Sequence, residues 1–498
     1  MLLDSRADPA VAQAIDDGSH VAVEVDTTGQ GRIAGRETQG RADHPVVIVE
    51  HHAAVAARMH QSAQEIGGHL GALARPDFVE DCPCGSHGFG LICHLDAQGH
   101  EAKAIRPSPQ ADDPAMRHHG PVTQDLLAAA RSRQSDLIEA VRTLVEVESP
   151  SSDIDACRTC LATASTLIES WLGSPARITE HGGKPVLRWG PDQPRVLLLG
   201  HLDTVWPIGT LTRIPWAVDG DRLRGPGVFD MKVGVVQAIG AVALLGLRPD
   251  DGVGMLFTTD EEIGSETSRG VIEDAARQAD AVLVLEPSVE GELKTARKGT
   301  SWYLVQINGR AAHAGLDPER GINALVEAAD LVRDAVTWAQ PELGTTVTPT
   351  TGRAGVTENT VPDSAVIGID VRAWSAEEQQ RVDDLARGWR PTHPEAGVAI
   401  IGGGINRPAM EQTAGAGLAQ LAEECALRLG IEPIGSRAVG GASDGNFTAA
   451  LGIPTLDGLG AVGDGAHADH EWASARAVPE RTALVAALTA AILAGESA

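Results

Sequence analysis

The chain has 498 residues, 43% of them hydrophobic, and a formal net charge of -28 at pH 7. That length and apolar content can bury more than one core, so at least two domains are expected. The acidic balance excludes a nucleic-acid backbone as partner, because such binding is driven by clustered lysine and arginine. Cys82, Cys84, Cys93, Cys157, Cys160 and Cys425 are too scattered for a disulfide scaffold and point to a reducing compartment. Neither Met1 nor Met116 is followed by a basic-then-apolar leader, and no eighteen apolar residues run together, so the expectation is a cytoplasmic protein with no membrane partner.

Residues 1–120 hold 11 of the 17 histidines and none of the nine tryptophans, and their aromatics are Phe78 and Phe89. Without a sustained apolar period, this atypical extension is expected to be largely disordered. Cys82, Cys84, His87, Cys93 and His94 are zinc-capable, but a Cys-x-Cys pair lacks the two-to-four-residue gap of structural zinc sites, so the metal reading is the weaker one. Ordinary domain patterning begins just after Met116, which makes that methionine a candidate start of translation.

From Thr123 the pattern becomes that of an amphipathic helix, with Leu126, Leu127, Leu137, Ile138, Val141 and Leu144 at helical spacing up to the stop at Ser149 and Pro150. Apolar runs follow at Val196 to Leu199, Val253 to Phe257, Ala281 to Leu285 and Ile453 to Leu456, with helical patterns between them. This alternation predicts an α/β domain around a mostly parallel sheet. Each run ends in chemically capable residues: GHLDT from Gly200, TTDEEIGS from Thr258, LEPS from Leu285 and DGLGAVGDGAH from Asp457. Ligand sites of open α/β sheets lie beyond the carboxyl ends of the strands, so the four tails are expected to converge on one cleft. Residues 298–407 show a different order: strand Trp302 to Ile307, helix Gly321 to Trp338, strands Thr345 to Thr350 and Ala365 to Val371, helix Ala376 to Ala386, strand Val398 to Ile401. That order predicts a ferredoxin-like (α+β) domain inserted into a catalytic domain made of residues 121–297 and 408–498.

The tails carry the chemistry. His201 follows a buried strand, and Asp203, two positions on, points to the same side, where it can fix the tautomer of a metal-bound imidazole. A strand-end histidine with a turn aspartate is the blander alternative. Asp230 in GPGVFDMKVG precedes the apolar helix Val233 to Leu247 and reads either as its N-cap or as a carboxylate whose two oxygens bridge two cations. The side chains of the adjacent Glu261 and Glu262 diverge, so one suits a metal and the other a proton, unless they form a solvated acidic turn. With Glu286 and His467, the donors His201, Asp230 and Glu262 become a set of five without thiolate, which suits a pair of zinc ions with open positions.

The strings GHLDTVWP, GPGVFDMKVG, TTDEEIGS, LEPS, RKGTSWY, GRAAHAG, ENTVPDSA with IDVR, GGASDGN and GAHADHEW occur in this order from about Thr123 onward. Together they resemble the M20 metallopeptidases, and most of all the glutamate carboxypeptidase-like branch. The resemblance implies that Asp230 bridges two divalent ions, that His201 and Glu286 complete one site and Glu262 and His467 the other, that Glu261 is the general base and that Asp203 orients His201. It implies that the insertion is a lid and dimerisation domain whose His313 reaches the partner subunit's site to stabilise the oxyanion. Asn359 and Arg372 would hold substrate, Arg372 through a planar fork that matches a carboxylate. Gly440, Gly441 and Ser443 would wall the pocket. The expected activity is cleavage of an amide bond beside a free carboxylate, on a small peptide or an N-acyl amino acid, by a homodimer. An N-acyl amino acid amidohydrolase or a dipeptidase is the alternative within the family. A non-catalytic metal-binding interaction protein is the alternative outside it, and the retained Glu261 speaks against that.

Overall fold

The computed structural model describes residues 23–25, 31–33 and 123–496. The Cys82, Cys84, His87, Cys93 and His94 group, Met116 and the disorder expected for most of residues 1–120 lie outside the described residues. Strands β1 (Val23–Val25) and β2 (Gly31–Ile33) pair antiparallel, with Val23 opposite Ile33.

The larger part of the chain opens with α1 (Thr123–Ser132) and α2 (Gln134–Val145). The periodicity predicts one helix here; the structure breaks it at Arg133, next to Ser132, whose hydroxyl bonds back to the Ala129 carbonyl at 2.7 Å. Such local bonds compete with the helical ladder. Both halves keep their apolar stripe on the core, through Leu126, Leu127, Leu137, Val141 and Leu144. Helix α3 (Ile154–Leu172) starts at Asp153, whose carboxylate accepts from Ala156 N–H at 3.0 Å.

There follow β3 (Arg177–His181), β4 (Lys184–Trp189), β5 (Val196–His201), β6 (Ala217–Asp219), β7 (Arg222–Arg224), α4 (Val233–Leu245), β8 (Val253–Thr258), α5 (Arg269–Ala276), β9 (Ala281–Val284) and β10 (Leu293–Arg297). The insertion holds β11 (Gly299–Asn308), α6 (Ala324–Thr337), β12 (Thr346–Ala354), β13 (Ser364–Ala373), α7 (Ala376–Gly388) and β14 (Gly397–Arg407). After it come α8 (Ala416–Leu429), β15 (Ser436–Val439), α9 (Gly445–Ala450), β16 (Thr455–Leu456), β17 (Gly463–Asp464), β18 (Trp472–Ser474) and α10 (Ala477–Leu493).

The central sheet runs β16-β9-β5-β8-β4-β3. Its first four strands are parallel, and β4 and β3 add an antiparallel edge that the apolar runs do not announce. The β3–β4 connection is Gly182-Gly183, both at positive φ (55° and 85°), the conformation that two-residue hairpins demand and that glycine adopts without steric cost. Period-two alternation divides the sheet between two cores. Val196 and Leu198 of β5 and Leu283 of β9 face α1, α2, α4 and α10, while Leu197, Leu199, Val282 and Val284 face α5 and Phe447 of α9. Burying each such side chain contributes about 1.5–3 kcal/mol. The stretch Val228–Leu245 is apolar enough by composition to cross a membrane, but 78% of it is buried within the protein.

In the insertion the order is β12-β13-β11-β14 with all pairings antiparallel, the ferredoxin-like arrangement. Tyr303, Val305 and Ile307 pack against Ala328 and Leu331 of α6 and Val382 of α7, and Trp302 on the opposite face is exposed. Helix α6 is capped by Asn323 and α7 by Ser375.

Candidate active site

Parallel register sets the site. β5 lies between β8 and β9, with His201 opposite Thr258 and Leu199 opposite Val284, so the tails carrying His201, Glu261, Glu262 and Glu286 leave from the same end. Asp230 comes from the glycine turn before α4. The N-cap of that helix is Lys232 and has no side-chain cap bond, so Asp230 does not serve as the cap. His467 lies between β17 and β18, which join β7 and β6 in an antiparallel sheet with Trp472 opposite Arg224; this pairing carries the C-terminal loop to the Asp230 turn. His467 itself has φ 61°, a left-handed conformation that costs a non-glycine residue energy and recurs at functional sites.

The five expected donors meet. His201 Nε2 lies 3.3 Å from Asp230 Oδ1 and 3.5 Å from Glu286 Oε1. His467 Nε2 lies 3.5 Å from Asp230 Oδ2 and 3.0 Å from Glu262 Oε2. Ligand atoms of His201, Asp230 and Glu262 lie within 4.8 Å of one another, as do those of His201, Glu261 and Glu286. Behind them Asp203, fully buried, has Oδ1 3.5 Å from His201 Nδ1 and accepts from Ser151 Oγ at 2.7 Å and from the Glu261 and Glu262 amides at 3.3 and 3.2 Å.

The electrostatics follow from crowding acids around two imidazoles. Burial opposes charge on His201, yet the carboxylates of Asp203, Asp230 and Glu286 override it and hold its pKa well above the ordinary value. Asp230 and Glu262 push His467 up to about 10. Burial would raise Asp230, but the two histidines beside it hold it below the usual carboxylate range. Burial raises both Glu261 and Glu262, opposed by Arg407 at the first and His467 at the second.

These residues fit divalent metal ions. His201 Nε2 and Asp230 Oδ1 are both buried without a hydrogen-bond partner, and the donor set is carboxylate and imidazole without thiolate. A cation placed there meets both orphaned atoms and offsets the clustered negative charge.

The expected substrate contacts are placed differently. Arg372 is engaged by Asp370, with Nε 3.0 Å from Oδ1 and Nη2 3.0 Å from Oδ2. On β13 it is opposite Thr300, which is opposite Arg407, so it sits two strands from the Glu261 partner, about 10 Å at ordinary strand spacing. His313 is exposed in a loop bridged to Thr360, and its Nδ1 accepts from Gly315 N–H at 3.1 Å; the Asn359 carbonyl accepts from the next residue, Ala314. Gly440 and Gly441 are exposed, whereas Ser443 is buried and gives its hydroxyl to Asp457 at 2.6 Å.

Three residues escape the sequence reading. Arg407 Nη2 donates to Glu261 Oε1 at 2.8 Å. Arg297 forms a two-bond pair with Asp457 at 2.7 and 2.9 Å and reaches Glu286 Oε2 at 3.3 Å, which leaves Oε1 to face His201. Glu471 is buried beneath the Asp230 turn. Isolated charges in polar strings look like solvated surface; Arg297, which opens RKGTSWY, and Glu471, four residues past His467 in GAHADHEW, had a nearby signal, and Arg407 had none.

The sequence model of peptidase family M20/M25/M40 matches residues 197–491. Carboxypeptidase G2 of Pseudomonas sp. (strain RS-16) is 32% identical over 397 residues, 74% of this chain and 92% of that protein. Aminopeptidase PepT from Bacillus cereus ATCC 10987 has a similar structure, with a TM-score of 0.55 at 21% identity, over 72% of this chain and 98% of its own. The M20 family metallo-carboxypeptidase Sso-CP2 from Sulfolobus solfataricus gives 0.54 at 16%, over 71% and 98%. Both structural likenesses concern the fold. Fold and donor set define a metal-dependent hydrolase. The chain belongs to the M20 family of peptidases and is a hydrolytic enzyme of the carboxypeptidase-like kind.

Proposed function

We propose that this enzyme is a two-metal, zinc-dependent peptidase that hydrolyses an amide bond beside a free carboxylate and works as a homodimer. One observation carries the reading: the two oxygens of Asp230 address different histidines, Oδ1 toward His201 at 3.3 Å and Oδ2 toward His467 at 3.5 Å. His201, Glu286 and Asp230 would hold one ion; Glu262, His467 and Asp230 would hold the other; Asp203 would orient His201. Bound ions supply Lewis acidity, which makes water a usable nucleophile near neutral pH.

Glu261 accepts a proton from the attacking water on its carboxylate and delivers it to the leaving nitrogen. Its surroundings suit both halves of that task, since burial favours the protonated form and Arg407 the charged one. Arg372 takes the substrate's carboxylate in exchange for Asp370, whose oxygens already fill the guanidinium fork as a substrate's would. The exposed Gly440 and Gly441 line the pocket with backbone, and Ser443 stiffens that wall through Asp457. The exposure of His313, beside Asn359 on the insertion, supports their service to the partner subunit's site.

The test is a panel of C-terminal glutamate peptides and folate-like conjugates, N-acyl amino acids and dipeptides, assayed with and without zinc beside Glu261→Gln. Zinc-dependent turnover of at least one class is expected, reduced about 10²–10⁴-fold in the variant while its metal content is kept. Near-normal turnover by Glu261→Gln would remove the base, and two bound ions with no turnover of any class would favour the non-catalytic alternative.

A further inference from the structure

A single carboxylate outside the donor set joins three of the loops that bear it. Glu471 is 1% exposed and accepts four N–H bonds. Its Oε1 accepts from Phe229 N–H at 2.9 Å and Asp230 N–H at 3.2 Å, and its Oε2 from Gly227 N–H at 3.0 Å and the Trp206 indole at 2.9 Å. Trp206 closes the GHLDTVW string that contains His201, the three amides belong to the turn that contains Asp230, and Glu471 follows His467 in GAHADHEW.

The geometry of the turn makes this acceptor necessary. Gly225 and Gly227 take φ of 144° and 72°, and in the turn they allow, Val228 N–H bonds back to the Gly225 carbonyl at 3.2 Å while the Gly227, Phe229 and Asp230 N–H groups go to Glu471. Converging buried N–H groups form an anion nest, and each is destabilising if left without an acceptor. The amide of Asp230 is one of them, so the bond that satisfies it also sets where its Cα, and hence its carboxylate, stands.

We propose that Glu471 is the positioning residue of the metal centre, fixing the Asp230 backbone against the His201 and His467 loops so that the Asp230 oxygens meet both halves of the donor set. The inference rests on the ligand assignment proposed above. Glu471 touches no reacting atom; it acts through the Asp230 amide. A glutamine there must turn an NH2 group toward two N–H donors and loses two of the four bonds.

The experiment is calorimetric titration of the full-length, metal-stripped chain with zinc, together with the visible spectrum of the cobalt(II) form, for the wild type, Glu471→Gln and Trp206→Phe. The wild type should take up two ions per chain. Glu471→Gln should bind zinc about 10–100-fold more weakly, the usual effect of removing a group that orients ligands, with altered cobalt bands and an unchanged far-ultraviolet circular dichroism spectrum. Trp206→Phe removes one bond and keeps the acceptor, so a weakening of a few-fold is expected. Wild-type zinc affinity and cobalt bands in a folded Glu471→Gln overturn the proposal. If that variant does not fold, the same result for Trp206→Phe overturns it. A wild-type chain that binds no zinc removes the ligand assignment itself, and the proposal with it.

Discussion

Arg407 donates through one nitrogen, Nη2, to both the backbone carbonyl and the Oε1 of Glu261, each at 2.8 Å, and the two side chains are only 9% and 11% exposed. The same nitrogen lies 3.3 Å from Asp444 Oδ1, so one guanidinium serves two buried acids. It comes from the last residue of β14, which ties the end of the inserted sheet to the proposed base.

Replacing Arg407 by methionine leaves both acids buried without a counter-charge. Breaking a buried pair in this way costs about 3–5 kcal/mol. Combining it with Glu261→Gln removes one of the stranded charges, so the double variant should recover at least about 1 kcal/mol relative to the sum of the single losses. The measurement is a urea-unfolding cycle over the four proteins. Strict additivity would mean that the close approach carries no coupling.

How far such features can be read in advance depends on whether they have a period. The apolar runs ending in Leu199, Phe257 and Leu285 are continuous, and the polar residues after them mark the cleft edge, so the convergence of His201, Glu262 and Glu286 is legible before any coordinates. The β3–β4 edge is harder to see, because its burial is mixed and its turn rests on two glycines whose φ no sequence displays. The break at Arg133 depends on a local serine bond that propensity does not weigh. The roles of Arg407 and Arg297 are hidden for a physical reason: a buried charge paired across more than a hundred residues has the same local appearance as a solvated one. Arg372 shows the converse. The sequence offers its fork to a substrate carboxylate, and in the structure a neighbour on its own strand, Asp370, fills it.

Metal removal should lower thermal stability. Asp203, Asp230, Glu261, Glu262 and Glu286 bring five carboxylates to one cleft, and ions that bind only the folded chain stabilise it by mass action. At a thousandfold excess over Kd, that contribution is about 4 kcal/mol. Differential scanning calorimetry with EDTA should show unfolding several degrees lower, restored by zinc but not by magnesium, which shuns imidazole donors. An unmoved transition would speak against a metal held by the native state.

Cys157, Cys160 and Cys425 should be inert in the native protein. Burial pushes the Cys157 thiol up to about 12 and that of Cys425 up to about 11, and it also raises Cys160. At pH 8 all three are protonated and enclosed, so alkylation followed by peptide mapping should label them only after denaturation. The linkage has a definite sign. Above about pH 8.5 the unfolded chain releases these protons and the folded chain keeps them, so stability falls from there until the folded values are reached. Rapid native labelling of Cys157 would contradict its enclosure.

The carbonyl of Leu285, one residue before Glu286, is gripped from two sides by glycines. A Cβ on Gly234 of α4 or on Gly460 would stand 2.0 Å from that oxygen. The obstacle is backbone, so no side-chain rotation relieves it; either the helix withdraws or the end of β9 moves, and Glu286 moves with it. Gly234→Ala is therefore expected to cost about 1–3 kcal/mol, the usual scale of core overpacking, and to weaken zinc binding in the same variant. Gly270→Ala is the control, because a Cβ at that position in α5 meets nothing within 4 Å, and replacing a helical glycine there should stabilise by about 0.4–1 kcal/mol. Denaturant unfolding and zinc titration of both variants check the argument, and it fails if the two alanines shift stability in the same direction.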